Sequence, residues 1–505
     1  MKRTLPLLAL SLSLAVSAAN AVYETPNTGK VYTLDDLAQI ADAGVTKESD
    51  NTYRLVNDIE ITVNDGFKLE NNTVVRMGTG VIVRVYGPAE FAVTDTATIC
   101  PDGDGVKPKG FHLYNMNPSA RTIQHIRFEG ASLSLGNEQG TVVENCTFIE
   151  SNGELVKSSV AFSAASVNNA VRNCHFLHTA FSAISNGSNV AAGMVIEDNL
   201  IEDCSTQGRN YPYLNICPSG NNGGTIIRRN RIVGSGGTMA GAISFSNMLT
   251  MTGANEALIA DNEMSDCRYG INAYGYQNTR IIGNKIVNCH YETNANNGGS
   301  GITVYSAANT EYPAKVYIQQ NYINGNLWGI TVIGASQVNM GHTDVADTDP
   351  EYNPGLNILK NNGNCGKAPA GASTAFDPSI PYDLYNNTPS TIYAQGNTWG
   401  GADQSAAEIE KRIFHKNDNA SLGEVIFLPA GDTSGITLAS DDAVAISVNP
   451  DGSFKVEGVA TSTPVIVYDV TGALLWSGDA STTVNLNRRG LVIVKAGNTA
   501  RRLAL

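Results

Sequence analysis

Val195-Ile196-Glu197-Asp198-Asn199-Leu200-Ile201, Ile226-Ile227-Arg228-Arg229-Asn230-Arg231-Ile232 and Leu258-Ile259-Ala260-Asp261-Asn262-Glu263-Met264 share one pattern. An apolar residue is followed by two variable positions, an asparagine, another variable position and a second apolar residue. Working outward, the pattern recurs at Ile281, Asn284 and Ile286, at Ile318, Asn321 and Ile323, at Ile358 and Asn361, and at Ala394, Asn397 and Trp399. In the other direction cysteine replaces asparagine, at Val171, Cys174 and Phe176 and at Val143, Cys146 and Phe148. An imperfect first copy stands at Ile123, Ile126 and Phe128.

The period is irregular: Asn262 and Asn284 are 22 residues apart, Asn284 and Asn321 are 37 apart. Helical solenoids hold a near-constant repeat, so they are excluded. Each copy is instead a short Ile/Val-rich strand bounded by Asn, Asp and Gly. A second strand follows at Gly241-Ala242-x-Ser244, Gly270-Ile271-x-Ala273, Gly301-Ile302-x-Val304 and Gly329-Ile330-x-Val332. Short strands with variable loops predict an all-β chain wound as a parallel β-helix solenoid. Parallel crossovers are right-handed almost without exception, which sets its hand. About twelve coils stacked at ~4.8 Å give a rod of roughly 55 Å.

An asparagine turned inward can bond its counterpart in the coils above and below, which satisfies buried polar groups. Asn199, Asn230, Asn262, Asn284, Asn321, Asn361 and Asn397 are expected to form one such column, with Cys146 and Cys174 at its start. Five residues on, Cys204, Ser235, Cys267, Cys289 and Asn326 suggest a second. These cysteines read as core filler; neighbouring coils would also permit a disulfide.

Lys2 and Arg3, the apolar run Leu5–Val16 and Ala19-Asn20-Ala21 form an export signal over residues 1–21. No other apolar stretch reaches the length of a transmembrane segment. Residues 22–52 read as an N-terminal cap, with a helix opening at Thr33-Leu34-Asp35-Asp36 and running through Ala43. The solenoid is expected over 53–430. Its end is closed by a helix starting at Ser405, with Ala406, Ile409 and Ile413 on one face. Beyond it, in 431–505, short strands at Ile446–Val448, Phe454–Val456, Val465–Asp469, Ala473–Trp476, Thr483–Leu486 and Leu491–Lys495 predict a small β-sandwich.

Two resemblances attach to these segments. Asn397-Thr398-Trp399-Gly400, Ile413-Phe414-His415-Lys416-Asn417-Asp418 and Ser421-Leu422-Gly423-Glu424-Val425 resemble the terminal cap of secreted right-handed parallel β-helix repeat proteins. The span 53–430 is similar to that pectin-lyase-like superfamily, which holds lyases, glycosidases, epimerases and non-catalytic surface proteins. The resemblance therefore implies fold more than activity. Val467-Tyr468-Asp469-Val470-Thr471-Gly472 and Gly490-Leu491-Val492-Ile493-Val494-Lys495 resemble a C-terminal sorting domain of Bacteroidota type IX secretion. The chain departs from that pattern at Val448-Asn449-Pro450. The resemblance implies sorting to, or attachment at, the outer cell surface.

With 47 acidic against 33 basic residues and a net charge of −14, a nucleic-acid partner is excluded, and an acidic polysaccharide would need a local basic patch. Asp198 and Asp261 precede ladder asparagines two coils apart, about 10 Å, and are weak candidates for a hydrolytic carboxylate pair. A lyase needs a base and a cation beside a uronate carboxylate, for which Arg231 and Lys285 are the candidates. Alternating charges across neighbouring strands account for the same residues structurally. Asp344, Asp347, Asp349 and Glu351 offer oxygen ligands for Ca²⁺, and Asp102-Gly103-Asp104-Gly105 is a shorter acidic loop of the same kind.

The most telling feature is aromatic. Phe245, Tyr274 and Tyr305 follow the inward pairs of successive second strands and are expected outside, stacked at coil spacing. Tyr211 and Tyr213 in the loop Ser205–Gly224, and Tyr291 in His290–Gly299, accompany them. These residues suggest a glycan-stacking stripe, or a satellite core if the loops cover it. The expected function is a secreted or cell-surface β-helix that binds polysaccharide along its face. A polysaccharide lyase or glycoside hydrolase, and a structural surface rod, stay open beside it.

Overall fold

The computed structural model describes residues 20–504 apart from 117–119, 164–165, 187–192, 218–223, 238, 248–255, 293–298, 365–375, 432–444, 449–452, 458, 470–473, 487–490 and 497–498. The expected export signal thus lies outside the described residues except for its last two positions. So do parts of the loops Ser205–Gly224 and His290–Gly299 and of both stretches that resemble a sorting domain.

The repeats wind into a parallel β-helix in which each coil visits three sheets in turn. The first, eleven-stranded sheet includes Val195–Glu197, Thr225–Arg228, Glu256–Ala260, Asn278–Ile282 and Lys315–Gln319. The second, fourteen-stranded sheet follows the asparagine turn and includes Leu200–Glu202, Arg231–Val233, Glu263–Ser265, Lys285–Val287 and Tyr322–Asn324. The third, also fourteen-stranded, includes Leu214–Ile216, Ile243–Asn247, Ile271–Gly275, Ser300–Tyr305 and Trp328–Ile333.

Parallel pairing sets like residue on like. Ile227, Ile259, Ile281 and Ile318 share one register position, and Ile232, Met264, Ile286 and Ile323 another. All are buried, which removes apolar surface from water coil after coil. In earlier coils Phe128, Phe148 and Phe176 stack with centroids 4.7 and 5.0 Å apart.

The asparagine ladder closes the corner between the first and second sheets. Asn199, Asn230, Asn262 and Asn284 each donate from Nδ2 to Oδ1 of the next column asparagine at 2.9 Å. The same Oδ1 accepts the preceding asparagine's backbone N–H, at 3.0 Å for Asn230 and Asn262. Nδ2 also donates to a carbonyl of the coil before, as Asn262 does to Ile227 at 2.9 Å. Every arm of each amide is therefore used. Where the ladder begins, the Cys174 backbone N–H donates to Asn199 Oδ1 at 3.0 Å, and its thiol points at the Val143 carbonyl.

Asn361 is not a rung. Asn321 instead donates to Asn357 at 2.9 Å, and Asn357 to Asn397 at 2.8 Å. Ile323 pairs with Leu359, so the frame beginning at Ile358 is displaced. An insertion after Met340 separates the inner apolar residue from its asparagine and hides the true repeat. Asn361 is exposed, with φ 53°, in the left-handed turn that Asp203, Asp266 and Asn288 occupy in other coils. The residue after it, Asn362, continues the second column: Asn326 Nδ2 donates to Asn362 Oδ1 at 3.0 Å, and Asn362 Nδ2 to Asp383 Oδ1 at 2.8 Å.

At the N-terminal end, Thr33 and Asp36 form a reciprocal capping box on the helix Leu34–Ala38, which buries Leu34 and Leu37. The helix stops short of Ala43, and a 3₁₀ turn over Ala41–Ala43 follows. Asp65 pins the strap ahead of it, accepting backbone N–H bonds from Asn27, Thr28, Gly29 and Lys30 at 2.7–3.1 Å. At the other end the helix spans Ala406–Glu410 and buries Ile409. Ile413 lies beyond it, in a strand paired with Leu384.

The C-terminal segment has a core of its own, built on Phe454, Val456, Val465, Val467, Val492 and Val494. Ala445–Val448 pairs with Phe454–Glu457, and a four-stranded sheet is ordered Leu474–Asp479, Pro464–Asp469, Leu491–Ala496, Thr499–Ala504. Val484 makes one bridge to Phe454 where a strand was expected, and Thr499–Ala504 is an additional strand.

Candidate functional site

The outer face of the third sheet carries two columns at coil spacing. One runs through Ser185, Asn215, Ser244, Asn272, Thr303 and Thr331, with no charged residue. The other runs through Ser246, Tyr274, Tyr305, Ile333 and Asn387. Ser244 and Thr331 are buried, whereas Ser246, Asn272, Tyr274, Thr303 and Tyr305 are half-buried and form the open part. Charges on this face stand nearer the N-terminal end, where Glu60 and Arg84 share a column with His112, whose pKa burial and Arg84 lower.

Tyr274 and Tyr305 stack with centroids 4.2 Å apart and planes 22° apart. Burial, with the neighbouring Tyr305 hydroxyl, pushes the Tyr274 hydroxyl up to about 12, so it is neutral at physiological pH. Each ring gives one face to the other. The pair thus presents its two outer faces along the rod, not a continuous flat platform. Tyr276 and Tyr312 lie beside it with centroids 5.1 Å apart, and Tyr312 is exposed. Tyr276 lies just past the end of its strand, after Gly275 at φ 79°, so strand alternation does not reach it.

Phe245 is not on this face. Its neighbour across the coil is Ala273, and it is fully buried; Ser246 is the residue aligned with Tyr274. The second strands begin one residue out of step, with Ile243 paired to Ile271, so aligning Gly241 with Gly270 shifts the pattern to the wrong face. Tyr213 is buried too, and burial raises its hydroxyl far above the usual range. Tyr211 packs edge-on against Phe181 at 4.9 Å, and Lys157 lies over that ring. Tyr291 donates to Asp266 at 3.1 Å and contacts His290, which stacks on Phe376 at 4.2 Å. These three tyrosines secure loops instead of extending the stripe.

The weak catalytic candidates lie elsewhere. Asp198 and Asp261 occupy left-handed turn positions at φ 57° and 55°. Between them Arg229 donates to both oxygens of Asp198, at 2.7 and 2.6 Å, and to Glu197 at 2.9 Å. Asp198 is thus engaged in an ion pair. Arg231, Glu263 and Lys285 are in register on the second sheet's outer face, with the carboxylate between the cations. They line a shallow depression of about 200 Å³ with Val233, Ser265 and Val287. On the first sheet, Glu144 pairs with Arg172 and Glu197 with Arg228, both at 2.7 Å. This is the alternating-charge pattern.

The proposed calcium loop does not converge. Asp349 accepts the backbone N–H of Glu351 at 2.8 Å, and Glu351 accepts the hydroxyl of Tyr317 at 3.0 Å. In the shorter acidic loop, Asp102 pairs with Arg54. Among the described residues no three His, Cys, Asp or Glu side chains gather as a metal site. The described cysteines are free thiols, and burial pushes Cys204 up to about 11 and Cys289 to about 12. The buried ones, Cys146, Cys174, Cys204, Cys267 and Cys289, are inert core groups.

No protein-family model matches the chain, and no curated protein matches it in sequence. Similar solved structures include a double mutant of the periplasmic alginate epimerase AlgG, 12% identical over 80% of this chain and 83% of that one, with a TM-score of 0.46. A mannuronic-acid-specific family 6 polysaccharide lyase from human gut microbiota is 12% identical over 79% and 91%, with a TM-score of 0.32. PfbA, a surface adhesin of Streptococcus pneumoniae, is 11% identical over 84% and 93%, with a TM-score of 0.31. Likenesses this distant transfer no activity. Among the described residues no helix is long and apolar enough to cross a membrane.

Proposed function

We propose that this is an exported β-helix protein that binds polysaccharide on the outer face of its third sheet. The observation carrying this reading is the stacked Tyr274–Tyr305 pair, set among the uncharged Ser246, Asn272 and Thr303. Aromatic faces beside neutral hydrogen-bonding side chains suit sugar rings, whose CH faces pack on aromatics while their hydroxyls seek partners. The C-terminal two-sheeted segment serves sorting or surface attachment in this reading.

Catalysis is the second reading. Its support is the depression between Arg231 and Lys285 on the second sheet, where a uronate carboxylate would find cations. Glu263 between them offsets that charge, and the cations stand on a different face from the tyrosines. Binding without cleavage is therefore the better-supported reading. Affinity electrophoresis through gels containing neutral or acidic polysaccharide tests it. Retardation by at least one polysaccharide, weakened roughly tenfold in Tyr274→Ala, is expected. Equal retardation of both proteins would contradict it.

A further inference from the structure

A second cleft, on the first sheet, has no part in that reading. It encloses about 270 Å³ and is lined by Lys315, Tyr317, Gln337, Asn339, Glu351 and Tyr393, among others. Tyr317, Asn339 and Tyr393 occupy one outward register position in three successive coils. Two coils at ~4.8 Å put the tyrosine positions about 9.6 Å apart along the rod. The residue between them is folded out of the way. Asn339 Nδ2 donates to the Glu351 carbonyl at 2.8 Å, and its Oδ1 accepts the Gly341 N–H at 3.2 Å.

Both rings are braced by neighbours. The Arg280 guanidinium lies 4.9 Å from the Tyr317 centroid, and His342 stacks on Tyr393 at 3.7 Å. Neither brace belongs to the cleft lining. Glu351 fixes the Tyr317 hydroxyl at 3.0 Å. The result is a slot lined by two positioned aromatic rings, with amide, hydroxyl, ammonium and carboxylate groups around its walls.

We propose that this slot is a saccharide-binding site taking one pyranose unit, edged by Lys315, Gln337 and Thr391. It shares a ligand class with the third-sheet face but none of its residues, so either site stands without the other. Two sites on different faces would let one molecule engage two chains or two segments of one chain, with avidity beyond either site alone.

The test is calorimetric titration of the full chain with cellohexaose, maltohexaose and a galacturonate hexamer. The variants are Tyr393→Ala, Thr391→Arg and Tyr274→Ala. Thr391 is exposed, so its substitution fills the slot without disturbing the core. Expected is binding of at least one probe that both slot variants weaken tenfold or more and that persists in Tyr274→Ala. Binding abolished by Tyr274→Ala and unaffected by Thr391→Arg would overturn this proposal while leaving the third-sheet reading intact. No heat from any probe at millimolar concentration would also overturn it, since short oligosaccharides suffice to fill one slot.

Discussion

The two corners of each coil are built on opposite terms. Between the first and second sheets the chain turns in two residues, a left-handed one and then an inward asparagine, from Asn199 to Asn397 except in the coil where the insertion after Met340 precedes Leu356 and Asn357. Between the second and third sheets the connection varies from the short Gly325–Leu327 to the long stretch between Asn364 and Tyr382. The first corner is held by hydrogen bonds that need the same residue in every coil. The second carries only the shorter column of Asn326, Asn362 and Asp383, and is otherwise closed locally, by His290 against Phe376, or by Trp328, Tyr382 and Phe414 in a satellite core. Uniformity stabilises the rod; variation leaves the adjoining third-sheet face free to carry recognition.

The sharpest way to break this contrast is in the ladder. Asn262→Ala removes an amide that serves Asn230, Asn284 and Ile227, leaving their buried groups without it. At roughly 1 kcal/mol per lost bond, a destabilisation of about 3–4 kcal/mol is expected from urea unfolding. The same change at Ser246, on the variable side, is expected to fall within about 0.5 kcal/mol.

The second column ends on a carboxylate, which gives it a pH dependence that an all-asparagine column lacks. Burial raises the Asp383 pKa to about 6, with the Asn362 bond and Arg412 opposing that rise. The folded state therefore holds a proton that the unfolded chain has lost. Its contribution is present below about pH 4, falls as pH rises towards about 6, and is constant above that. Asp383→Asn keeps the acceptor for Asn362 and is expected to flatten this fall. Thermal unfolding between pH 4 and 7 measures it; an unchanged slope would reassign the pH dependence to other groups.

Legibility in the sequence follows the same division. The ladder could be read because an asparagine is required in each coil, and the reading failed at Asn361 only where an insertion after Met340 separated rung from strand. Capping at Thr33 and Asp36 was equally plain, since both partners lie within one turn. The third-sheet face was read with a one-residue slip at Phe245, because the loop before each strand sets its phase and nothing local reports it. Tyr317 and Tyr393 were invisible as a pair: only the register through Asn339 brings them into one column.

Smaller effects separate binding from catalysis. Tyr274→Ala is expected to weaken polysaccharide retention about tenfold, near 1.4 kcal/mol, with little change in stability. Arg231→Ala is expected to leave retention unchanged and to shift stability by less than about 0.5 kcal/mol, as an exposed member of an alternating-charge row. A clear loss of function in Arg231→Ala would move the functional face to the second sheet.

The most direct test of the central claim is the chain-length distribution of the polysaccharide that the protein retains, after incubation with and without Ca²⁺, for wild type and Tyr274→Ala. The account predicts chains of undiminished length, held by the wild type and released by the variant. Shortened chains, or unsaturated ends among them, would contradict it and establish an enzyme.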